Sequence, residues 1–303
     1  MVDLLLKINR KFHKLSDAKT KKLQKPVSGI TKVSNLNYHG DDNKGHRLDI
    51  FYPEKTKELL PTIIEVHGGG WVYGDKELNE YHAMYLASQG FTVFNINYQL
   101  SPEVRLDGQI QDIFKALSWI EEHGKAHHAD TSKLFFTGDS AGGHLSLLTA
   151  LVQTSPKLQE IYKVKPFDLK VSAVAVTCPV ALLHNMLNGK DKTIALLRFW
   201  MFGKDLLKNP ISKYASIDDV LEFGKFPDTM IVTTRGDRQL HKYSVALDKL
   251  LSEKKIEHIY KNYESKGNQL KHVFNVLHIN YAESKKANED IASFFKSFLP
   301  AGV

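Results

Sequence analysis

The sequence predicts an α/β fold with a mostly parallel sheet, helices on both faces and a helical cap. Short apolar runs alternate with helix-compatible runs along most of the chain, which is the pattern of βαβ units. One apolar run ends in Gly-Asp-Ser-Ala-Gly at 138–142 and passes at once into a helical pattern, as a G-x-S-x-G turn requires. The stretch at 182–224 interrupts the alternation with apolar residues and turn signals but no strand pattern, so we interpret it as an inserted cap.

Composition and length suit one α/β domain that covers residues 1–303. The chain is 42% hydrophobic and 25% charged, which is ordinary for a globular protein. Cys178 is the single cysteine, so an internal disulfide is excluded. No apolar run approaches the roughly 20 residues that cross a bilayer. We therefore expect a cytoplasmic protein.

The net charge of +7 is concentrated at the N-terminus. Residues 1–25 hold eight basic and two acidic residues, so this segment carries +6 and the other 278 residues carry about +1. A protein that binds nucleic acid through its folded domain would have a stripe of basic residues outside this N-terminal segment. The sequence accordingly indicates no nucleic-acid partner.

An amphipathic helix is predicted at residues 4–15. Leu5, Ile8, Phe12 and Leu15 recur at spacings of three and four, and so they share one helix face. The apolar stretch at its start is too short for a secretory signal. Three interpretations stay open: a helix packed on the main domain near a substrate entrance, which we favour, a helix on a membrane surface, or a disordered basic tail.

The other elements follow in chain order, with strand-like periodicity from about residue 31. Predicted strands lie at 47–52, 61–66, 91–97, 134–137, 171–177, 229–234 and 257–263. Predicted helices lie at 78–88, 110–122, 144–153, 244–252 and 283–298. Strands that alternate with helices in this way build a parallel sheet with helices on both faces.

Ser140 is the candidate nucleophile. A G-x-S-x-G turn between a strand and a helix holds the serine in a strained conformation with its hydroxyl projecting outward. Gly138 and Gly142 flank it because a Cβ at either position would push the strand and the helix apart. A serine hydroxyl is a poor nucleophile at neutral pH, so the turn needs a base, an acid that orients the base, and donors for the oxyanion.

The loop after the strand at 61–66 supplies candidate oxyanion donors. It reads His-Gly-Gly-Gly-Trp at 67–71, and glycines let bare backbone N–H groups approach an oxygen closely. We predict that the N–H groups of Gly69, Gly70 and Ala141 form the oxyanion hole. The spacing excludes a phosphate-binding loop, since it contains neither G-x-G-x-x-G nor a following Lys-Ser/Thr.

Asp237 and His272 are the candidate acid and base. Asp237 follows the strand at 229–234, at the sheet edge where the sites of open α/β sheets collect. His272 comes after the last strand and a polar loop, which completes the chain order Ser, Asp, His. His278, six residues later, is the competing base.

These motifs together resemble the α/β-hydrolase fold, in the hormone-sensitive-lipase-like branch of bacterial carboxylesterases. The residues that carry the resemblance are His67 to Trp71, Gly138 to Gly143, Gly236-Asp237 and His272 to Phe274. The segment at 97–103 is also similar to the branch's Tyr-Arg-Leu-x-Pro-Glu. The resemblance spans about residues 45 to 298. It implies an eight-stranded sheet and a cap built from about 1–40 and 182–224.

Two positions depart from the pattern of that branch. Gln99 stands where the branch usually has arginine, so an ion pair made by that arginine is absent here. Asp237 is followed by Arg-Gln-Leu, whereas the branch commonly has Asp-Pro-Leu.

The resemblance implies a serine carboxylesterase that hydrolyses small, short-acyl esters with no metal or organic cofactor. An amidase of the aryl-formamidase kind or a peptidase on the same fold is the alternative, and a non-catalytic ligand-binding relative is a third reading. The predicted apolar pocket wall consists of Trp71, Phe199, Trp200 and Phe202, with Met201 beside them; simple cap packing is the rival interpretation of the last four. The sequence leaves a homodimer open.

Overall fold

A computed structural model describes residues 2–184, 192–204, 209–267 and 269–300. Its centre is an eight-stranded sheet in the order β1-β2-β4-β3-β5-β6-β7-β8. The strands are β1 (Ile30–Asn37), β2 (Arg47–Pro53), β3 (Leu60–Val66), β4 (Thr92–Ile96), β5 (Ala129–Asp139), β6 (Val171–Thr177), β7 (Asp228–Thr234) and β8 (His258–Tyr263). The β1–β2 and β2–β4 pairs are antiparallel, and the other five pairs are parallel. This confirms the predicted fold class.

Helices cover both faces of the sheet. The helices of the described residues are α1 (Val2–Lys22), α2 (Glu80–Ser88), α3 (Leu106–His123), α4 (Ala141–Gln153), α5 (Pro156–Tyr162), α6 (Lys192–Phe202), α7 (Ile217–Val220), α8 (His241–Glu253), α9 (Phe274–Leu277) and α10 (Ala282–Lys296). Neighbouring strand residues point to opposite faces. Phe136 belongs to the core cluster that includes residues of α3, α4 and α8, whereas Phe135 belongs to the cluster that includes residues of α2 and α10. The sequence did not predict the short helices α5 and α9.

The two predicted cap segments serve more than one purpose: parts of them belong to the main sheet or to the core, and other parts cover the site. Within 1–40, β1 pairs with β2 as a strand of the main sheet, so α1 is the part that lies over the site. Within 182–224, Ile217 and Val220 are fully buried in the main core, whereas α6 packs near α1. The remainder of that insertion, at 185–191 and 205–208, lies outside the described residues.

Helix α1 packs on the domain through the side opposite to its predicted apolar face. Leu6 is buried against Val72 and Trp200. Ile8 and Phe12, in contrast, lie on the predicted apolar face and are exposed. The amphipathic pattern located the apolar face but did not predict which side of the helix docks, and polar contacts of Arg10 and Asp17 account for much of the docking. No helix within the described parts of the chain has the length and hydropathy needed to span a bilayer.

Candidate active site

Ser140 occupies the turn between β5 and α4. Its φ of 50° and ψ of −114° lie in a region that residues with a Cβ rarely adopt. Both backbone polar groups of Ser140 are hydrogen-bonded. Its N–H donates to the Thr177 carbonyl at 2.9 Å, and its carbonyl accepts from His144 N–H at 3.2 Å. The backbone therefore fixes the strained serine by hydrogen bonds to β6 and α4.

The glycines beside Ser140 are required by close backbone contacts. A Cβ on Gly142 would lie 2.0 Å from the Val66 carbonyl oxygen, and a Cβ on Gly138 would lie 2.6 Å from the Gly142 carbonyl carbon. Real Cβ atoms do not approach backbone atoms so closely. The two glycines thus allow α4 to begin directly against β3 and β5, as the sequence predicted for a turn of this kind.

Asp237 and His272 form a hydrogen-bonded pair at the carboxyl edge of the sheet. Asp237 lies in the loop after β7, and the Oδ2 atom of Asp237 lies 2.6 Å from Nδ1 of His272. The second carboxylate oxygen accepts from Leu240 N–H at 3.1 Å, which fixes the carboxylate. Ser140 and His272 line the same cavity. The structure therefore brings the three predicted catalytic residues to one place.

A buried thiol, which the sequence analysis did not assign to the site, adjoins this pair. Cys178 directly follows β6 and has a φ of 45°. Its Sγ, an Asp237 carboxylate oxygen and a ring nitrogen of His272 all lie within 4.8 Å of one another. The sequence contained one signal for this placement, because Cys178 directly follows β6. The carboxyl ends of the neighbouring strands β6 and β7 lie at the same edge of the sheet.

Burial and hydrogen bonding act in opposite directions on the two titratable partners. Burial lowers the pKa of His272, but the hydrogen bonds to Asp237 and Cys178 raise it by more, so that it lies above its ordinary value. Burial raises the pKa of Asp237, and the hydrogen bond to His272 brings it below the ordinary value. Asp237 therefore carries its charge at neutral pH and stabilises the imidazolium form of His272.

The loop at 67–71 presents backbone donors beside Ser140. Gly69 and Gly70 have φ values of 115° and 60°, and a Cβ on Gly69 would lie 2.0 Å from the Tyr73 carbonyl oxygen. Among the described residues, nothing accepts a hydrogen bond from the N–H groups of Gly69, Gly70 or Ala141. Ala141 is also the first residue of α4, where helix N–H groups have no partner within the helix. These donors remain available for an oxyanion.

Asp139 holds this loop in place, and the sequence analysis missed its role. Its Oδ1 accepts from Gly68 N–H at 3.0 Å and from Asn79 Nδ2 at 2.8 Å. Burial raises the pKa of Asp139 despite the lowering by Asn79. Asn79 Nδ2 also donates to Glu65 at 3.1 Å, and His82 Nδ1 lies 2.5 Å from the same Glu65 oxygen. A buried polar network thus fixes the loop from behind.

His67 takes no part as a base. It is fully buried, its Nδ1 lies 2.7 Å from the Gly68 carbonyl oxygen, and its ring stacks on Tyr98 at 4.4 Å. Burial lowers the pKa of His67 to about 4, so the ring is neutral at pH 7. Its contribution is to the shape of the loop.

The cavity in front of Ser140 has a volume of about 390 Å³. Apolar side chains line much of it, among them Leu197, Trp200, Leu240, Val273 and Leu277. Helix α1 adds polar groups from Asn9, His13 and Asp17. A mainly apolar cavity with a few polar groups suits a small organic ligand.

Of the predicted pocket residues, the structure places Trp200 in the cavity wall and the others elsewhere. Trp71 is buried, and its Nε1 donates to His144 Nδ1 at 3.2 Å. Met201 and Phe202 are buried in the main core, and Phe199 packs against the cluster of Leu6, Val72 and Trp200 without lining the cavity. The prediction assumed one continuous apolar wall, but consecutive residues of a helix point in different directions.

The competing candidates have other partners. The ring of His278 stacks on Tyr281 at 4.9 Å and lies outside the cavity lining. Gln99, at the position of the expected arginine, donates to Asp112 through its backbone N–H at 3.0 Å and its side chain at 3.1 Å. The uncharged amide of Gln99 thereby donates hydrogen bonds to a carboxylate where an arginine would form an ion pair.

Two groups among the described residues bring three possible metal ligands together. One is the set of Cys178, Asp237 and His272, and the other is an outer set of His39, Asp41 and His46. The first contains the predicted base, so it is accounted for by the site. In the second, the Lys115 ammonium lies 2.9 Å from His39 Nε2, a position that disfavours a cation. The expectation of a reaction without a metal stays a prediction.

Comparison with known proteins gives a consistent family assignment. The BD-FAE family model matches residues 48–241. A solved structure of esterase B from Lactobacillus rhamnosis is 30% identical, covers 98% of this chain and 95% of that chain, and superposes with a TM-score of 0.92. A probable carboxylic ester hydrolase, LipM from Mycobacterium tuberculosis, is 33% identical over 124 residues, which are 40% of this chain and 29% of LipM.

Esterase LipQ from the same organism is 30% identical over 151 residues, which are 50% of this chain and 35% of LipQ. The chain thus spans less than half the length of these curated relatives. The comparisons confirm the resemblance to α/β-hydrolases, and the finer hormone-sensitive-lipase-like assignment stays a prediction.

Proposed function

Because this chain belongs to the BD-FAE family of α/β-hydrolases, we propose that it is a serine carboxylesterase for small esters with short acyl chains. The observation that carries the proposal is the convergence on one cavity of Ser140, the His272–Asp237 pair and the backbone donors of the loop at 67–71. Each part that acyl transfer needs is present there.

The first half of the proposed reaction forms an acyl-enzyme. His272 accepts the Ser140 hydroxyl proton while Oγ attacks the ester carbonyl carbon. The carbonyl oxygen becomes an oxyanion, and the N–H groups of Gly69, Gly70 and Ala141 stabilise it. The tetrahedral intermediate then collapses, the carbon–oxygen bond to the alcohol breaks, and His272 returns the proton to the leaving oxygen.

The second half regenerates the serine. A water molecule gives its proton to His272 and attacks the acyl carbon, and the same N–H groups stabilise the second oxyanion. When this intermediate collapses, the bond to Ser140 Oγ breaks and His272 returns the proton to Oγ. Nδ1 of His272 keeps its proton throughout the reaction, because it donates that proton in the hydrogen bond to Asp237. Nε2 is therefore the nitrogen that exchanges protons with the serine, the alcohol and the water.

The short-acyl preference is supported by the size of the cavity and by a relative. A space of about 390 Å³ is at the lower end of ligand sites, which hold roughly 300–1,000 Å³. A structure of esterase B, the relative that superposes along nearly the whole chain, is described as inhibited with a C4-C4 SN3 tributyrin phosphonate. An inhibitor with such short chains on a relative supports the proposal of short acyl chains for the present protein.

The experiment that tests the proposal uses a fluorophosphonate probe and a panel of substrates. We expect the probe to label the peptide that contains Ser140, and we expect the enzyme to hydrolyse p-nitrophenyl acetate and butyrate faster than longer esters or aryl formamides. Ser140→Ala should reduce kcat/KM by more than about 10⁴-fold, whereas His278→Ala should leave it unchanged. Failure of the probe to label the wild-type protein would refute the serine mechanism, and preferential hydrolysis of the formamides would assign an amidase.

A further inference from the structure

Helix α1 has two faces with opposite environments. The inner face contacts the rest of the protein. Arg10 Nε donates to the Val72 carbonyl at 2.7 Å, its guanidinium pairs with Glu103 at 2.6 and 2.7 Å, and Tyr73 donates its hydroxyl proton to Asp17 at 2.6 Å. These contacts fix which side of the helix turns outward.

The outward side is apolar, and we name it the outer stripe. It consists of Leu4, Leu5, Ile8, Phe12 and Leu15, whose side chains are between 43% and 68% exposed. Their spacing places them along one side of a helix, opposite to the contacts of Arg10 and Asp17. A contiguous apolar surface of this kind marks an interaction site.

Lysines flank the outer stripe. The residues concerned are Lys7, Lys11, Lys14, Lys19 and Lys22, and none of them has an ion-pair partner among the described residues. A helix with large apolar side chains on one side and lysines around them is the pattern of a helix that lies in a lipid–water interface. The lysines would meet the negative surface of an anionic lipid layer while the apolar side chains enter it.

We propose that the outer stripe docks this protein on an anionic lipid surface. Charge complementarity distinguishes this occupant from a second copy of the chain, because two copies packed stripe to stripe would bring their lysines together. The segment at 1–25 carries +6 of the total +7, so the attraction is concentrated where the apolar residues lie. Docking would orient the molecule with α1 against the lipid.

This orientation also places the cavity next to the surface. The inner side of α1 contributes Asn9, His13 and Asp17 to the cavity wall, so that a single helix separates the lipid from the site. An apolar ester partitions into the same lipid and reaches the entrance at a high local concentration. This last step rests on the proposed esterase function, whereas the docking itself does not.

The test measures the binding of the full chain to vesicles by co-sedimentation. We expect strong partitioning to equimolar phosphatidylcholine–phosphatidylglycerol vesicles, weak partitioning to phosphatidylcholine alone, and weaker binding to the anionic vesicles in high salt. The double substitution Ile8→Gln and Phe12→Gln keeps good helix formers and should lower the partition coefficient by at least about tenfold. The matched control, Leu59→Gln with Val245→Gln, removes two exposed side chains outside α1 and should have little effect.

The outcomes separate the docking proposal from its rivals. Equal binding of the wild type and the α1 double variant, or no binding of the wild type to anionic vesicles, would overturn it. A wild-type dimer in light scattering that the same double variant dissociates would assign the outer stripe to a second copy instead. Fluorophosphonate labelling of the wild-type protein is measured in parallel. An absence of labelling would refute the proposed esterase function and leave the vesicle-binding result unaffected.

Discussion

The Ser140 turn and helix α1 lie on two sides of one cavity, and they are fixed by different kinds of contact. At the turn, the contacts are between backbone atoms: a Cβ on Gly142 would lie 2.0 Å from the Val66 carbonyl oxygen. On α1 the contacts come from side chains, such as Arg10 with Glu103. A backbone contact demands a particular residue type and is therefore readable in a motif. A side-chain contact depends on a partner far away in the sequence.

The first prediction concerns the Asp237–His272 pair and has the largest expected effect. Asp237→Asn should reduce kcat/KM by about 10²–10⁴-fold, because His272 loses its orientation and the charge that stabilises its imidazolium. The carboxylate raises the pKa of His272, and a protonated His272 cannot accept the serine proton. Activity therefore falls as pH drops through that pKa, and the acid limb should move to lower pH in the variant.

The measurement is the pH profile of kcat/KM for both proteins. Asp248→Asn is the matched control, because Asp248 pairs with His258 at 2.9 Å in another part of the molecule. It should leave the profile unchanged. An acid limb that stays in place in Asp237→Asn would contradict the assignment of Asp237 as the partner of the base.

The second prediction tests how strictly the backbone contacts define the oxyanion loop. Gly69→Ala should lower kcat by about 10²–10³-fold, the cost of losing one oxyanion donor, because its Cβ meets the Tyr73 carbonyl and its φ is 115°. Gly40→Ala is the control: its φ is also positive, at 83°, but no atom lies within 4 Å of the added Cβ. If the two variants were equally active, the close contact would not be what selects glycine at 69.

The third prediction concerns the docking of α1 and has the smallest expected effect on activity. Arg10→Ala removes the hydrogen bond to Val72 and the pair with Glu103; such partly exposed interactions contribute about 1 kcal/mol or less. We expect a rise in KM of a few fold, little change in kcat, and faster proteolysis of α1. Lys19→Ala should do neither. If Arg10→Ala lowered kcat as much as Gly69→Ala is expected to, the side-chain contacts of α1 would matter as much for catalysis as the backbone contacts of the oxyanion loop.

The comparison also explains how much of the molecule was predictable. The strands were found because buried parallel strands are apolar runs, as at Val171–Thr177, which the structure matches end to end. The face by which α1 docks was not predicted, because periodicity locates an apolar face but does not identify what covers it. The contact of Asp139 with Asn79, 60 residues earlier, leaves no local signal in the sequence.

The positive φ of Ser140 has a consequence for stability. A residue with a Cβ in such a conformation costs of order 1–3 kcal/mol, and glycine avoids most of that cost while losing somewhat more chain entropy on folding. Both Ser140→Gly and Ser140→Ala lack the nucleophile, yet we expect the glycine variant to have the larger free energy of unfolding, by about 0.5–1 kcal/mol. Thermal or urea denaturation of the pair measures the difference. At this one position, the residue that would give the most stable fold is not the one that gives a catalyst.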